Sequence, residues 1–252
     1  MKAFQPYVVT NTLGIILRTY ALTQPDADWD IIFIHGTPAS GAIFGEQFLH
    51  PFPKANLVTF DRPGFGKSKP DVRKPGLAFH AEAVGTLLHT NRRTILVGHP
   101  YGAPVAIAAA LQFTNQVAGL VLVGGSVDRA QETIYRAQRW ADWPAISWLF
   151  PRALRQCNRE LLTLRDDLRR LQPELARLNV PVVMVHGAKD RQVPVANVEF
   201  LRGKFALAGK SNLFEALVYP EANHFIPWKR PEALEAGLQA LTNRIAHSAK
   251  TR

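Results

Sequence analysis

Ile95-Leu96-Val97-Gly98-His99-Pro100-Tyr101-Gly102-Ala103 is the stretch on which the reading of this chain turns. The run at 94–97 is short and, but for Thr94, wholly apolar, the mark of a strand covered on both faces. Alanine-rich sequence follows at 101–113 and predicts a helix. Two glycines, Gly98 and Gly102, frame the turn between them. A strand passing at once into a helix places the turn's central residue at the sheet's C-terminal edge, where open α/β sheets bind ligands. That residue is Pro100, which has no hydroxyl, thiol or carboxylate. Pro104 falls in the first turn of the helix, where a missing N–H is tolerated.

Outward from this point the same alternation recurs. Further short apolar runs lie at 31–34, 57–60, 120–123, 182–185 and 217–219, and a strand pair is expected at 7–10 and 14–20. Helical segments are expected at 41–50, 79–89, 195–208 and 231–246. Strands alternating with helices imply a mainly parallel sheet flanked by helices on both faces. Residues 1–252 read as a single α/β domain. The interval 126–178 breaks the alternation. It holds Trp140, Trp143 and Trp148, then a helix-like run at 158–178 expected to break near Pro173. It is expected to form a small helical cap over the sheet's C-terminal edge. The three tryptophans either pack this cap down or line a substrate pocket beneath it.

Composition narrows the classes. Apolar residues make up 47% and charged residues 20% of the 252, as in ordinary globular domains. No apolar run approaches the length of a membrane span, and no leader pattern follows Met1. A cytoplasmic protein without a stable membrane anchor is expected. The lone Cys157 allows no internal disulfide. The net charge is +10, which favours anionic small molecules by long-range steering. The basic residues are dispersed, and Arg152, Arg155, Arg159, Arg165, Arg169 and Arg170 alternate with Glu160, Asp166 and Asp167 as on a solvated helix. No nucleic-acid-binding pattern accompanies them, and neither a metal site nor a cofactor is expected.

Four motifs stand in order along the chain: Phe33-Ile34-His35-Gly36-Thr37-Pro38; Asp61-Arg62-Pro63-Gly64-Phe65-Gly66-Lys67-Ser68; His186-Gly187-Ala188-Lys189-Asp190-Arg191-Gln192-Val193-Pro194; and Pro220-Glu221-Ala222-Asn223-His224-Phe225. With the Gly98–Gly102 turn they resemble the α/β-hydrolase superfamily over nearly the whole chain. The resemblance implies an oxyanion hole formed by the N–H groups of Thr37 and Tyr101, a triad acid at Asp190 with Asp128 a weaker substitute, and a catalytic histidine at His224. Glu221 replaces the usual glycine before that histidine. The family's nucleophile elbow, G-x-S-x-G, holds its nucleophile in a strained turn. Here Pro100 occupies the nucleophile position.

Proline fixes φ near about −65° and cannot adopt that strained conformation. The turn is therefore expected to relax or shift, re-aiming the Tyr101 N–H. Acyl-enzyme chemistry through position 100 is excluded. The hydroxyls of Tyr101, Thr37, Ser40 and Ser126 are the neighbours from which a substitute would come. Three readings follow. In the first, His224 and Asp190 act directly as a general base on an ester, lactone or carbonyl compound, activating water for hydrolysis or removing a proton in a lyase- or oxygenase-like reaction. In the second, the chain binds a small ligand without catalysis. In the third, it is a serine hydrolase inactivated at Pro100.

Overall fold

The computed structural model describes residues 5–71, 75–89 and 91–250. Its strands are β1 (Gln5–Thr10), β2 (Ile16–Leu22), β3 (Trp29–Ile34), β4 (Ala55–Phe60), β5 (Arg93–Gly98), β6 (Val117–Val123), β7 (Val182–Gly187) and β8 (Phe214–Tyr219). They form one sheet in the order β1-β2-β4-β3-β5-β6-β7-β8. The first two pairings are antiparallel and the remainder parallel. The expected alternation is thus present, with the predicted strand pair as its antiparallel edge.

The helices are α1 (Gly45–Leu49), α2 (Leu77–Gly85), α3 (Gly102–Gln112), α4 (Arg136–Ala141), α5 (Pro144–Ser147), α6 (Arg152–Glu174), α7 (Ala196–Leu207), α8 (Ile226–Lys229) and α9 (Pro231–Lys250). Side chains alternate across a strand, so each apolar run feeds two cores. Ile32, Ile34, Leu96, Leu120 and Leu122 pack with Val105, Ile107 and Ala109 of α3 on one face. Ile31, Phe33, Ile95, Val97 and Val121 pack with Leu234, Leu238 and Leu241 of α9 on the other. Each such side chain, fully buried, contributes about 1.5–3 kcal/mol by the hydrophobic effect. Double coverage explains why these strands are continuously apolar.

Residues 126–178 contain no strand and carry α4, α5 and α6. The long helix starts earlier than expected, at Arg152, and it ends at Glu174, one residue past Pro173 and close to where the proline was expected to break it. A proline there removes only one hydrogen bond near the end, and the chain tightens into a 3-10 turn at Leu175–Arg177. Arg152 ties the start of α6 to the sheet's edge. Its guanidinium binds the Asp71 carboxylate and donates to the Gly66 and Ser68 carbonyls.

Candidate active site

The turn after β5 is built from close approaches that only glycine permits. A Cβ on Gly98 would lie 2.3 Å from the Gly102 carbonyl oxygen, and one on Gly102 would lie 2.0 Å from that of Ile34. The Gly98–Gly102 frame therefore serves strand-to-helix packing, whatever residue stands at its centre. Pro100 is not among the described residues with positive φ. Tyr101 is in the right-handed helical region, with φ −66° and ψ −28°. Gly102 N–H donates to the His99 carbonyl and Ala103 N–H to that of Pro100. The turn is thus a relaxed lead-in to α3, as the proline ring dictates. The Tyr101 N–H belongs to the helix's first turn, where amides have no intrahelical acceptor.

Gly36 and Thr37, in the loop after β3, sit against this turn: a Cβ on Gly36 would be 2.1 Å from Pro100 Cδ. The two loops expected to supply oxyanion-hole amides are therefore neighbours. The loops after β7 and β8 bring in the second pair. His224 Nδ1 and Asp190 Oδ2 are 2.8 Å apart. Asp190 Oδ1 accepts from the N–H groups of Gln192 and Val193, each at 2.8 Å. Burial works against ionisation of Asp190. The hydrogen bonds from His224 and these amides outweigh it and hold the carboxyl below its usual range. An ionised Asp190 accepts the Nδ1–H of His224 and leaves Nε2 as the basic nitrogen. Asp128, the weaker alternative, instead caps a short 3-10 turn through its carboxylate. Glu221 forms an ion pair with Lys189, linking the acid and histidine loops.

His99, just after β5, lies against His224. Its ring centroid is 4.9 Å from that of His224 and 5.5 Å from that of Trp228. Burial, reinforced by the neighbouring His224, lowers its pKa to about 3. It is therefore a neutral wall, with Nδ1–H directed at the Val123 carbonyl at 2.9 Å. The substitute hydroxyls fare unevenly. Tyr101 is buried, and its OH donates to the Pro75 carbonyl at 3.2 Å. Burial also raises its pKa well above the usual phenol value. Its side chain is no nucleophile. Ser126 lies in the turn's hydrogen-bond net, its N–H donating to the Pro100 carbonyl at 3.3 Å. Burial pushes the Cys157 thiol up as well.

One sequence expectation changes here. Glu160 does not sit on a solvated face but meets Arg62. Both are fully buried and paired at 2.5 Å. His80 Nε2 adds a contact to Glu160 at 2.7 Å. Arg62 also donates to the carbonyls of His35 and Gly36. The network joins α6 to the loop carrying Thr37. Burial opposes the Glu160 charge, but Arg62 and His80 prevail and hold its pKa at about 2. A signal was present in the sequence: Gln156, Glu160, Leu164 and Leu168 recur every four residues and form the buried stripe of α6.

The tryptophans also depart from expectation. Trp140, Trp143 and Trp148 are 63%, 57% and 68% exposed. They are not packed into the insert. Trp140 and Trp143 instead border an open groove with Arg139, Asp142 and Pro144. The α4–α5 segment is held by polar contacts, so the indoles face outward. Among the described residues, no cluster of three or more His, Cys, Asp or Glu is arranged to hold a metal ion, and no helix is long and apolar enough to cross a membrane.

Comparison with known proteins agrees with this architecture. The mouse (Mus musculus) protein ABHD8 is 27% identical in an alignment covering 82% of this chain and 54% of that protein. The chain thus spans about half the length of the curated relatives it matches. An esterase from Thermogutta terrifontis superposes with a TM-score of 0.72 at 16% identity, covering 96% of this chain and 99% of the other. An esterase from Exiguobacterium antarcticum gives 0.70 at 17%, covering 94% and 98%. The model of the alpha/beta hydrolase family matches residues 31–236. Eight strands in this order, a histidine–aspartate pair after the last two and a family match across most of the sequence lead to one conclusion: the chain belongs to the alpha/beta hydrolase family.

Proposed function

We propose that the chain is an esterase-like enzyme without a covalent intermediate, in which His224, oriented by Asp190, acts as general base on a water molecule. The substrate class is a small ester, lactone or activated carbonyl compound. The observation that carries this reading is the 2.8 Å His224–Asp190 contact beside a proline at the nucleophile position. A serine needs a base, and the base needs an orienting acid. A histidine and an aspartate in hydrogen-bond contact support such a pair, and water is a nucleophile that needs no side chain. The N–H groups of Thr37 and Tyr101 are the candidate donors for the developing oxyanion. One such donor is typically worth about 3–4 kcal/mol in the transition state. The esterase neighbours are compatible with this class.

The mechanism predicts linear product release from the first turnover. A short-chain aryl ester followed by stopped flow should give no burst, and mass spectrometry should find no acyl adduct. A stoichiometric burst or an adduct would overturn the reading. So would silence in the native chain with activity appearing in Pro100→Ser, which would mark a serine hydrolase disabled at one position. A second reading, ligand binding without turnover, rests on Pro100 itself. It predicts saturable binding with no product over hours.

A further inference from the structure

The segment 135–150, which carries α4 and α5, gathers exposed aromatic and aliphatic side chains. Tyr135, Trp140, Trp143, Trp148, Leu149 and Phe150 are all exposed. Trp140 and Trp143 pack edge to face, with ring centroids 6.2 Å apart. The exposure comes from anchored backbone. Asn158 Nδ2 donates to the Gln138 carbonyl at 2.8 Å, Arg159 pairs with Asp142 at 3.2 Å, and Ser147 is buried. The polar side of the segment faces α6, and the aromatic side faces out.

Within 134–155 the charge is mainly positive. The charged residues within 134–155 are Arg136, Arg139, Asp142, Arg152 and Arg155. Asp142 is neutralised by Arg159 and Arg152 by Asp71. Arg136 and Arg139 remain exposed beside the indoles. Trp and Tyr, with an apolar body and a polar tip, concentrate at membrane–water interfaces. Adjacent arginines complement anionic headgroups. The net charge of +10 adds long-range attraction to the same kind of surface. A second copy of the chain is a poorer occupant. Two-fold pairing of this patch would bring like-charged arginines into one self-complementary interface.

We propose that the face formed by Tyr135, Trp140, Trp143, Trp148 and Phe150, with Arg136 and Arg139, docks reversibly on an anionic lipid surface. The indoles sit at headgroup depth, and the arginines meet lipid phosphates and carboxylates. Docking of this kind inserts no helix. It is independent of the chemistry at His224, so the two proposals fail separately.

The test is co-sedimentation of the whole chain with phosphatidylcholine vesicles, with and without phosphatidylserine. Tryptophan emission and quenching by bromine-labelled lipid are read in parallel. The expected result is salt-sensitive binding to the phosphatidylserine vesicles, with blue-shifted and quenched emission. Replacing all three indoles, Trp140→Ser with Trp143→Ser and Trp148→Ser, should weaken binding at least about tenfold. Arg136→Ala and Arg139→Ala should each weaken it about fivefold. Circular dichroism and the melting temperature should stay unchanged, because these side chains are exposed. Equal binding to both vesicle types overturns the proposal, as does unchanged binding by the triple variant. No vesicle binding also overturns it. If that result is accompanied by a dimer that the triple variant abolishes, the face belongs to a second copy.

Discussion

Pro100 separates two roles that the glycine-framed turn normally combines. The packing role survives, because Gly98 and Gly102 are required by backbone contacts with each other and with Ile34. The nucleophilic role does not, since the residue between them has no reactive atom and its ring holds the turn in a helix-like path. The frame should therefore matter for stability whatever the chemistry. Gly102→Ala is expected to cost about 1–3 kcal/mol through overpacking against the Ile34 carbonyl. Urea denaturation measures this, and an unchanged midpoint would mean the approach is looser than described. The meeting of Asp190 and His224 was legible in the sequence because loop motifs kept their spacing. His99 was harder to place: nothing local in the sequence shows that a histidine at the end of β5 meets one from the loop after β8.

Among the elements, α6 changes most between sequence and structure. Its arginines suggested a solvated helix, and the four-residue spacing of Gln156, Glu160, Leu164 and Leu168 was masked by the charge in that stripe. A buried carboxylate is tolerable only with partners, and Arg62 and His80 come from distant segments that local patterning does not reveal. Removing one member of a buried pair leaves its partner uncompensated. Glu160→Ala is thus expected to destabilise the fold by about 3–5 kcal/mol, read as a lower urea midpoint at neutral pH. An effect below about 1 kcal/mol, the range of a surface pair, would show that α6 is not held by this network. The outward indoles were unreadable for a related reason. Aromatic residues usually signal a core, and only the polar tethers of α4 and α5 decide that these face solvent.

Across the whole molecule, buried titratable groups set a pH limit. Burial lowers the pKa values of His35, His80, His99 and His186, and Glu160 is held at about 2 against the cost of burial. Each binds a proton less readily folded than unfolded. Their contribution is fully present above the unfolded values of 6.5 for histidine and 4.5 for glutamate. It is lost as pH falls through the folded values. Glu132 and Asp167, raised by burial, act in the opposite direction. The net expectation is a urea midpoint that declines steadily from about pH 6.5 downward. A midpoint unchanged to about pH 4 would mean that these histidines protonate freely in the folded chain. The sheet was readable because doubly covered strands must be apolar throughout, and that pattern survives whatever happens at position 100. The arrangement around position 100 was less readable, since it depends on how four loops meet at the sheet's edge. The most direct measurement is the steady-state rate of short-chain aryl ester hydrolysis by the native chain and by His224→Ala. Measurable turnover is expected, falling by about 10²–10⁴-fold in the variant, the usual worth of a general base. Equal rates in the two proteins would contradict a general-base role for His224.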